Sequence, residues 1–220
     1  MTLEEAIAKI KPLDHNAMEI AQKRWDSIAK PLHSLGKLET LLIQIAGITG
    51  NAEVDLSRRG LIAMCADNGV VEEGVTQTGQ EVTAIVAENF LKYDTSVGVM
   101  CKQNHAEIFP VDMGMVTDTK VRTDHKIAYG TQNMTKGPAM TREQAVKGLE
   151  AGIDMVRELN DKGYRILATG EMGIGNTTTS SAVASVLLKQ PVEEMTGRGA
   201  GLTSEGLVRK INAIKKAIAL

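Results

Sequence analysis

The chain has 220 residues and a mass of 23.6 kDa, enough to bury a sizeable core, since about two thirds of the unfolded surface is lost at this size. Hydrophobic residues at 43% against 24% charged exclude a disordered chain or a long coiled coil. A formal net charge of -2, with one Trp, three Tyr and two Phe, provides neither the attraction nor the stacking platform of a nucleic-acid binder.

No apolar run approaches the ~18 residues of a membrane span. Glu4 and Glu5 stand where a signal peptide is basic and then apolar, so export is not expected. Cys65 and Cys101 share no motif spacing, which fits two free thiols in a reducing cytoplasm. His15, His33, His105 and His125 are scattered without metal-ligand spacing, and no metal is expected.

The first sixty residues read as helices. Thr2 and Glu5 suit a capping box, and Pro12 ends that first helix. Asp14 is placed to cap a second helix running to about residue 29, with Met18, Ala21 and Trp25 along one side. Beyond Pro31, Ser34 is placed to cap a third, in which Leu35, Leu38, Leu41, Leu42 and Ile45 keep a helical period. Residues 1–30 read as a small appended helical region and 31–220 as a large α/β domain.

From Gly60 onward the pattern changes. Residues 61–66 form a continuous apolar run, as expected for a strand buried on both faces of a parallel sheet. Helical segments follow over residues 80–91 and 97–102, with a second strand expected at 106–111. Thr141 and Gln144 open a long amphipathic helix ending near Gly163. A third strand is expected at 165–169, then a helix over 177–188 and a last one capped by Ser204. Alternating strands and helices imply βαβ crossovers and a mostly parallel sheet flanked by helices. Three strands also predict one unprotected sheet edge, to be covered by further sequence or by another subunit.

Each expected strand ends in an acid followed two residues later by glycine: Asp67 before Gly69, Asp112 before Gly114, and Glu171 before Gly173. Ligands of open α/β sheets bind outside the carboxyl ends of the strands, so the three turns are expected to converge there. Acids and glycines are also ordinary capping and turn residues. The third turn, GEMGIGNTTTSSA over residues 170–182, carries most information. Its glycines admit close approach of a ligand, Asn176 is placed as helix N-cap, and the amides of Thr177, Thr178 and Thr179 offer themselves to a phosphate or carboxylate. It is neither a P-loop nor a dinucleotide fingerprint, and no Walker-type lysine follows any glycine loop.

Glu171 is either a general acid or base raised by apolar neighbours or a solvated strand-end acid. Met172 is placed to lie against a flat apolar ligand. In TGRGAGL, residues 196–202, successive amides can form an anion nest, with Arg198 or Lys210 adding charge. The residues alone point to an α/β enzyme holding a phosphorylated small molecule, with the reaction unnamed.

Four segments then carry a resemblance: KPLHSLGKLE (30–39), CADNGVVEEGVTQTGQEVT (65–83), GEMGIGNTTTSSA (170–182) and TGRGAGL (196–202). In this order they resemble nicotinate-nucleotide–dimethylbenzimidazole phosphoribosyltransferase, the family that assembles the lower ligand of cobalamin. The resemblance implies transfer of phosphoribose from nicotinate mononucleotide to 5,6-dimethylbenzimidazole or a related base, giving α-ribazole 5′-phosphate and nicotinate. It implies a Rossmann-like large domain, a small helical domain, a homodimer, and no cofactor or metal. It places Gln80 beside the lower-ligand base and Glu171 near the reacting base. Gly173, Gly175, Gly199 and Lys210 fall around the nucleotide.

Members of that family continue past residue 220, and the resemblance puts the principal catalytic base there, leaving Glu171 an auxiliary carboxylate. A chain ending at Leu220 is therefore expected to show little transfer, the alternative being a non-catalytic nucleotide-binding fragment. Thr78 and Gly79 stand where many members carry Tyr-Pro, which opens the base preference to adenine or another benzimidazole.

Overall fold

The computed structural model describes residues 1–220. They fall into two compact units, 1–58 and 59–220. The division lies well beyond the expected boundary at residue 30, because the second and third helices pack on each other and keep residues 31–58 with the first unit.

The first unit holds α1 (Leu3–Ala8), α2 (His15–Ser27) and α3 (Lys37–Thr49). The Thr2–Glu5 capping box and the Asp14 cap form as read from the sequence, with Asp14 Oδ1 accepting from Ala17 N–H at 2.9 Å. Helices α2 and α3 approach closely at Gly47, where a Cβ would lie 2.7 Å from the Met18 side chain.

Ser34 does not cap α3. The chain turns through left-handed His33 and Gly36, and Gly36 is the N-cap. A buried carboxylate organises this turn instead. Glu39 accepts from Leu35 N–H at 3.0 Å and pairs with Lys30 Nζ at 2.9 Å. The Lys30 hydrogen bond holds the Glu39 carboxyl below its ordinary range.

The second unit is a parallel three-stranded sheet of order β2-β1-β3, with β1 at Arg59–Ala66, β2 at Ala106–Gly114 and β3 at Ile166–Met172. Between them run a 3-10 turn (Gly69–Glu73), α4 (Glu81–Lys92), α5 (Ser96–Gln103) and α6 (Arg142–Asp161). After β3 come α7 (Asn176–Leu188), a short α8 (Val192–Met195) that the sequence did not announce, and α9 (Ser204–Ile218). Thr141 and Gln144 form their capping box on α6, while Thr203 rather than Ser204 caps α9, accepting from Gly206 N–H.

The alternation of β1 explains its unbroken apolar run. Ala63 and Cys65 face α4, packing with Ala87 and Phe90, while Ile62 faces α6, packing with Met155 and Leu159. On the α6 side Phe109 and Tyr164 meet edge-to-face at 5.2 Å, worth about 1 kcal/mol beyond their buried area. Burial pushes the Cys65 thiol up to about 12, so it serves as core.

The two sheet edges differ. Residues 122–127 cover the outer edge of β2, where Asp112 N–H donates to Arg122 O and Ile127 N–H to Met113 O. No such segment lies along β3, whose Ile166 is 43% exposed, so the unprotected edge expected from three strands is β3.

Candidate functional site

The parallel sheet brings all three strand-end acids to one edge, but they do not share a task. Asp67 is buried and accepts Val116 N–H through Oδ2 at 2.7 Å. Asp112 is fully buried; its Oδ1 accepts the amides of Gly114 and Met115, and its Oδ2 meets Lys126 Nζ at 3.1 Å. Burial works to lower the Lys126 pKa, but Asp112 and Asp118 outweigh it and the net shift is upward. These two acids staple the loop that leaves β2. Glu171 alone stays exposed, which matches the solvated strand-end acid among its two alternatives: β3 is the edge strand.

Glu171 is nevertheless held. Its Oε1 accepts from Asn176 Nδ2, and Asn176 Oδ1 accepts from Thr177 N–H at 2.6 Å. Asn176 is the first residue of α7, and Gly175, in the left-handed conformation at φ +92°, is the N-cap. The amides at this helix start are engaged within the protein. Asn176 donates to Gly173 O, Thr177 to Asn176 Oδ1, and Thr178 and Thr179 both to Gly175 O. The amides of residues 177–179, expected from the sequence to face an anion, are thus paired inside the protein.

Next to that turn stands a buried lysine beside a run of backbone amides. Lys210 of α9 is 1% exposed and has no carboxylate partner. Its Nζ donates to Thr177 Oγ1 at 2.7 Å and to Gly197 O at 3.1 Å, and burial without counter-charge depresses its pKa. Against this pair runs the loop 197–200, exposed and with Gly199 left-handed at φ +58°. A Cβ on Gly199 would lie 2.8 Å from Thr177 Oγ1 and 3.5 Å from Lys210 Nζ. The amides of residues 197–200 take no acceptor within the protein and stand beside this lysine, which leaves them available to an anion. The Arg198 guanidinium is held by Leu202 O and Ser204 Oγ, both neutral, so its charge has no carboxylate partner.

The remaining predicted residues separate. Thr177 is exposed at the nest, whereas Thr178 is fully buried, one helical step inward. Gly173 and Gly175 are buried, and their lack of a side chain serves packing. A Cβ on Gly173 would lie 2.2 Å from Ala66 O, and one on Gly175 3.0 Å from Val71. Met172 packs against the α4 core cluster rather than standing in an open loop. Gln80 is half-buried, its Nε2 donating to Asn68 O at 3.0 Å.

Sequence reasoning missed Asn68 and Thr83. Both grip the peptide of Ile174, and only the pairing of strands that are distant in sequence reveals it. The crowding of glycine at 173 and 175 was the available signal.

The model of the family described as Phosphoribosyltransferase (DBI_PRT) matches residues 10–220. The chain belongs to this family. It is 51% identical over 220 residues to the nicotinate-nucleotide–dimethylbenzimidazole phosphoribosyltransferase of Ruminiclostridium cellulolyticum, covering 99% of this chain and 62% of that protein. Against the protein of the same name from Clostridium tetani the identity is 47%, covering 98% and 60%. The crystal structure of CobT from Thermus thermophilus superposes with a TM-score of 0.84 at 36% identity, covering 93% of this chain and 62% of that one. This family member therefore spans about three fifths of the length of the curated relatives it matches.

Proposed function

We propose that the protein transfers phosphoribose from nicotinate mononucleotide to 5,6-dimethylbenzimidazole or a related base, the reaction its relatives are named for. The observation that carries this reading is the buried, unpaired Lys210 charge beside Thr177 and the free amides of residues 197–200. A dianionic sugar phosphate supplies the counter-charge this pocket lacks and takes hydrogen bonds from every donor in it.

In the transfer the bond from the sugar carbon to the nicotinate nitrogen breaks, and nicotinate leaves with the bonding electrons. A bond to a benzimidazole nitrogen forms, and that base gives up one proton. The sugar carbon is oxocarbenium-like midway, so a fixed phosphate and a positioned base lower the barrier by proximity and orientation. Glu171, exposed beside Asn176, is the auxiliary carboxylate available for the proton. Gln80, with its Nε2 engaged, keeps Oε1 for the attacking base. Gly173 and Gly175 shape the turn on which Thr177 is mounted.

The same reading includes a cytoplasmic homodimer. Val183, Val186 and Leu187 of α7 are 57%, 55% and 74% exposed, an apolar row that a second copy would bury. The two free buried thiols suit a reducing compartment.

The test is calorimetry with nicotinate mononucleotide beside a product assay with dimethylbenzimidazole. Saturable binding is expected of this chain, and product formation where the remaining two fifths of its relatives' length is present as well. Binding without product leaves a nucleotide binder, and no binding removes the reading.

A further inference from the structure

The residue after Asp67 joins three segments of the site: the turn after β3, α7 and the start of α4. Asn68 leaves the central strand β1, and its Nδ2 donates to Ile174 O, in the turn after β3, at 3.1 Å. Its Oδ1 accepts a long hydrogen bond from Thr179 Oγ1 of α7 at 3.4 Å. Its backbone carbonyl accepts Gln80 Nε2, at the start of α4, at 3.0 Å. From α4 the buried Thr83 Oγ1 accepts Ile174 N–H at 3.0 Å. One residue, Ile174, is thus clamped at its carbonyl by Asn68 and at its amide by Thr83.

This clamp matters because of what hangs on either side. Three residues before Ile174 is Glu171; two and three residues after it are Asn176 and Thr177, whose hydroxyl meets Lys210. On the opposite side Gln80 rests on the same Asn68. We propose that Asn68 is a positioning residue, holding the base side (Gln80) and the phosphoribosyl side (Glu171, Thr177) of the site in register. The proposal rests on the transferase reading above.

Only an amide meets the geometry. Asn68 donates to the Ile174 carbonyl, while the Thr179 hydroxyl near its Oδ1 has a shorter acceptor in Asn176 O at 2.9 Å; an ionised Asp could not donate and would set its charge against Ile174 O. The fit is tight: a Cβ on Gly173 would lie 3.0 Å from Asn68 Nδ2, and one on Gly175 3.2 Å from Asn68 Cβ. Of the phosphate-binding groups only Thr177 hangs from this turn; residues 197–200 and Lys210 stand on other segments. Loosening the clamp should therefore spare nucleotide affinity and slow transfer, since a misplacement of about 1 Å costs about 100-fold.

The test uses Asn68→Asp and, independently, Thr83→Val, which releases the other end of the same clamp. Steady-state transfer, calorimetry with nicotinate mononucleotide and amide hydrogen exchange are compared with wild type. We expect kcat to fall at least about 10-fold with affinity for the nucleotide within about 3-fold. Exchange should quicken at Ile174 and Asn176 while α6 keeps its rates. The double variant should lose less than the two singles combined, because both act on one residue. Unchanged kcat, or exchange quickened uniformly across the unit, overturns the proposal. A wild-type protein that binds no nucleotide refutes the transferase reading instead; there, or where it binds without forming product, the clamp stands or falls on the exchange rates alone.

Discussion

Replacing Lys210 by Met separates binding from stability. Lys210 is 1% exposed, donates to Thr177 Oγ1 and Gly197 O, and has no carboxylate to balance it. Its depressed pKa records that the charged form is disfavoured where it stands. Met fills a similar volume without a charge, and both abandoned acceptors belong to exposed residues that water can reach. The melting temperature is therefore expected to hold or rise. Binding should suffer: a charge-assisted hydrogen bond to phosphate contributes about 2–3 kcal/mol, which is about 30- to 150-fold in Kd. Calorimetry with nicotinate mononucleotide and a thermal melt on the same preparation read the two effects. Affinity within about threefold of wild type, or a melting point lowered by about 10 °C with affinity intact, would refute the argument and make Lys210 a packing post.

The depressed Lys210 also sets a pH dependence. Across the window between its folded pKa and the ordinary 10.5, the unfolded chain holds more protons, so this group makes stability rise with pH there. Nucleotide affinity should move the opposite way, falling by up to about tenfold per pH unit once the free protein's ammonium deprotonates; a flat alkaline affinity would exclude Lys210 as the anion's partner. For Glu171→Gln the expectation is slower product formation with nucleotide affinity kept, because the exposed carboxylate lies beside the nest but not in it. Equal product formation by that variant takes Glu171 out of the chemistry. Gly173→Ala forces a Cβ to 2.2 Å from Ala66 O, a backbone atom that cannot step aside. It should cost about 1–3 kcal/mol, or about 2–12 °C of melting temperature, and a thermal melt matching wild type would show that the turn relaxes freely.

Local chemistry was readable from the residues in order. The capping pairs Thr2–Glu5 and Thr141–Gln144 form where their spacing put them, since both partners lie within one helical turn. The apolar run of β1 announced burial on both faces, because each side chain of a central parallel strand meets a helix layer. The family, too, was legible in four short segments, which the match over residues 10–220 bears out.

What the order of residues did not determine was which polar groups remain free. The amides at the start of α7 looked available until folding set Gly173 O, Gly175 O and the Asn176 side chain against them. For Glu171 the sequence left a shielded and a solvated acid equally open, and the order β2-β1-β3 decided it by putting its strand at the edge. Asp67 and Asp112 share its sequence pattern and turned inward, consumed by the loop that leaves β2. A hydrogen bond is decided by whichever partner arrives at about 3 Å, and here those partners come from segments far apart in the chain, as with Lys210 and Thr177 or Asn68 and Thr179. Sequence supplies the donors and acceptors; tertiary packing selects the few left over for a ligand.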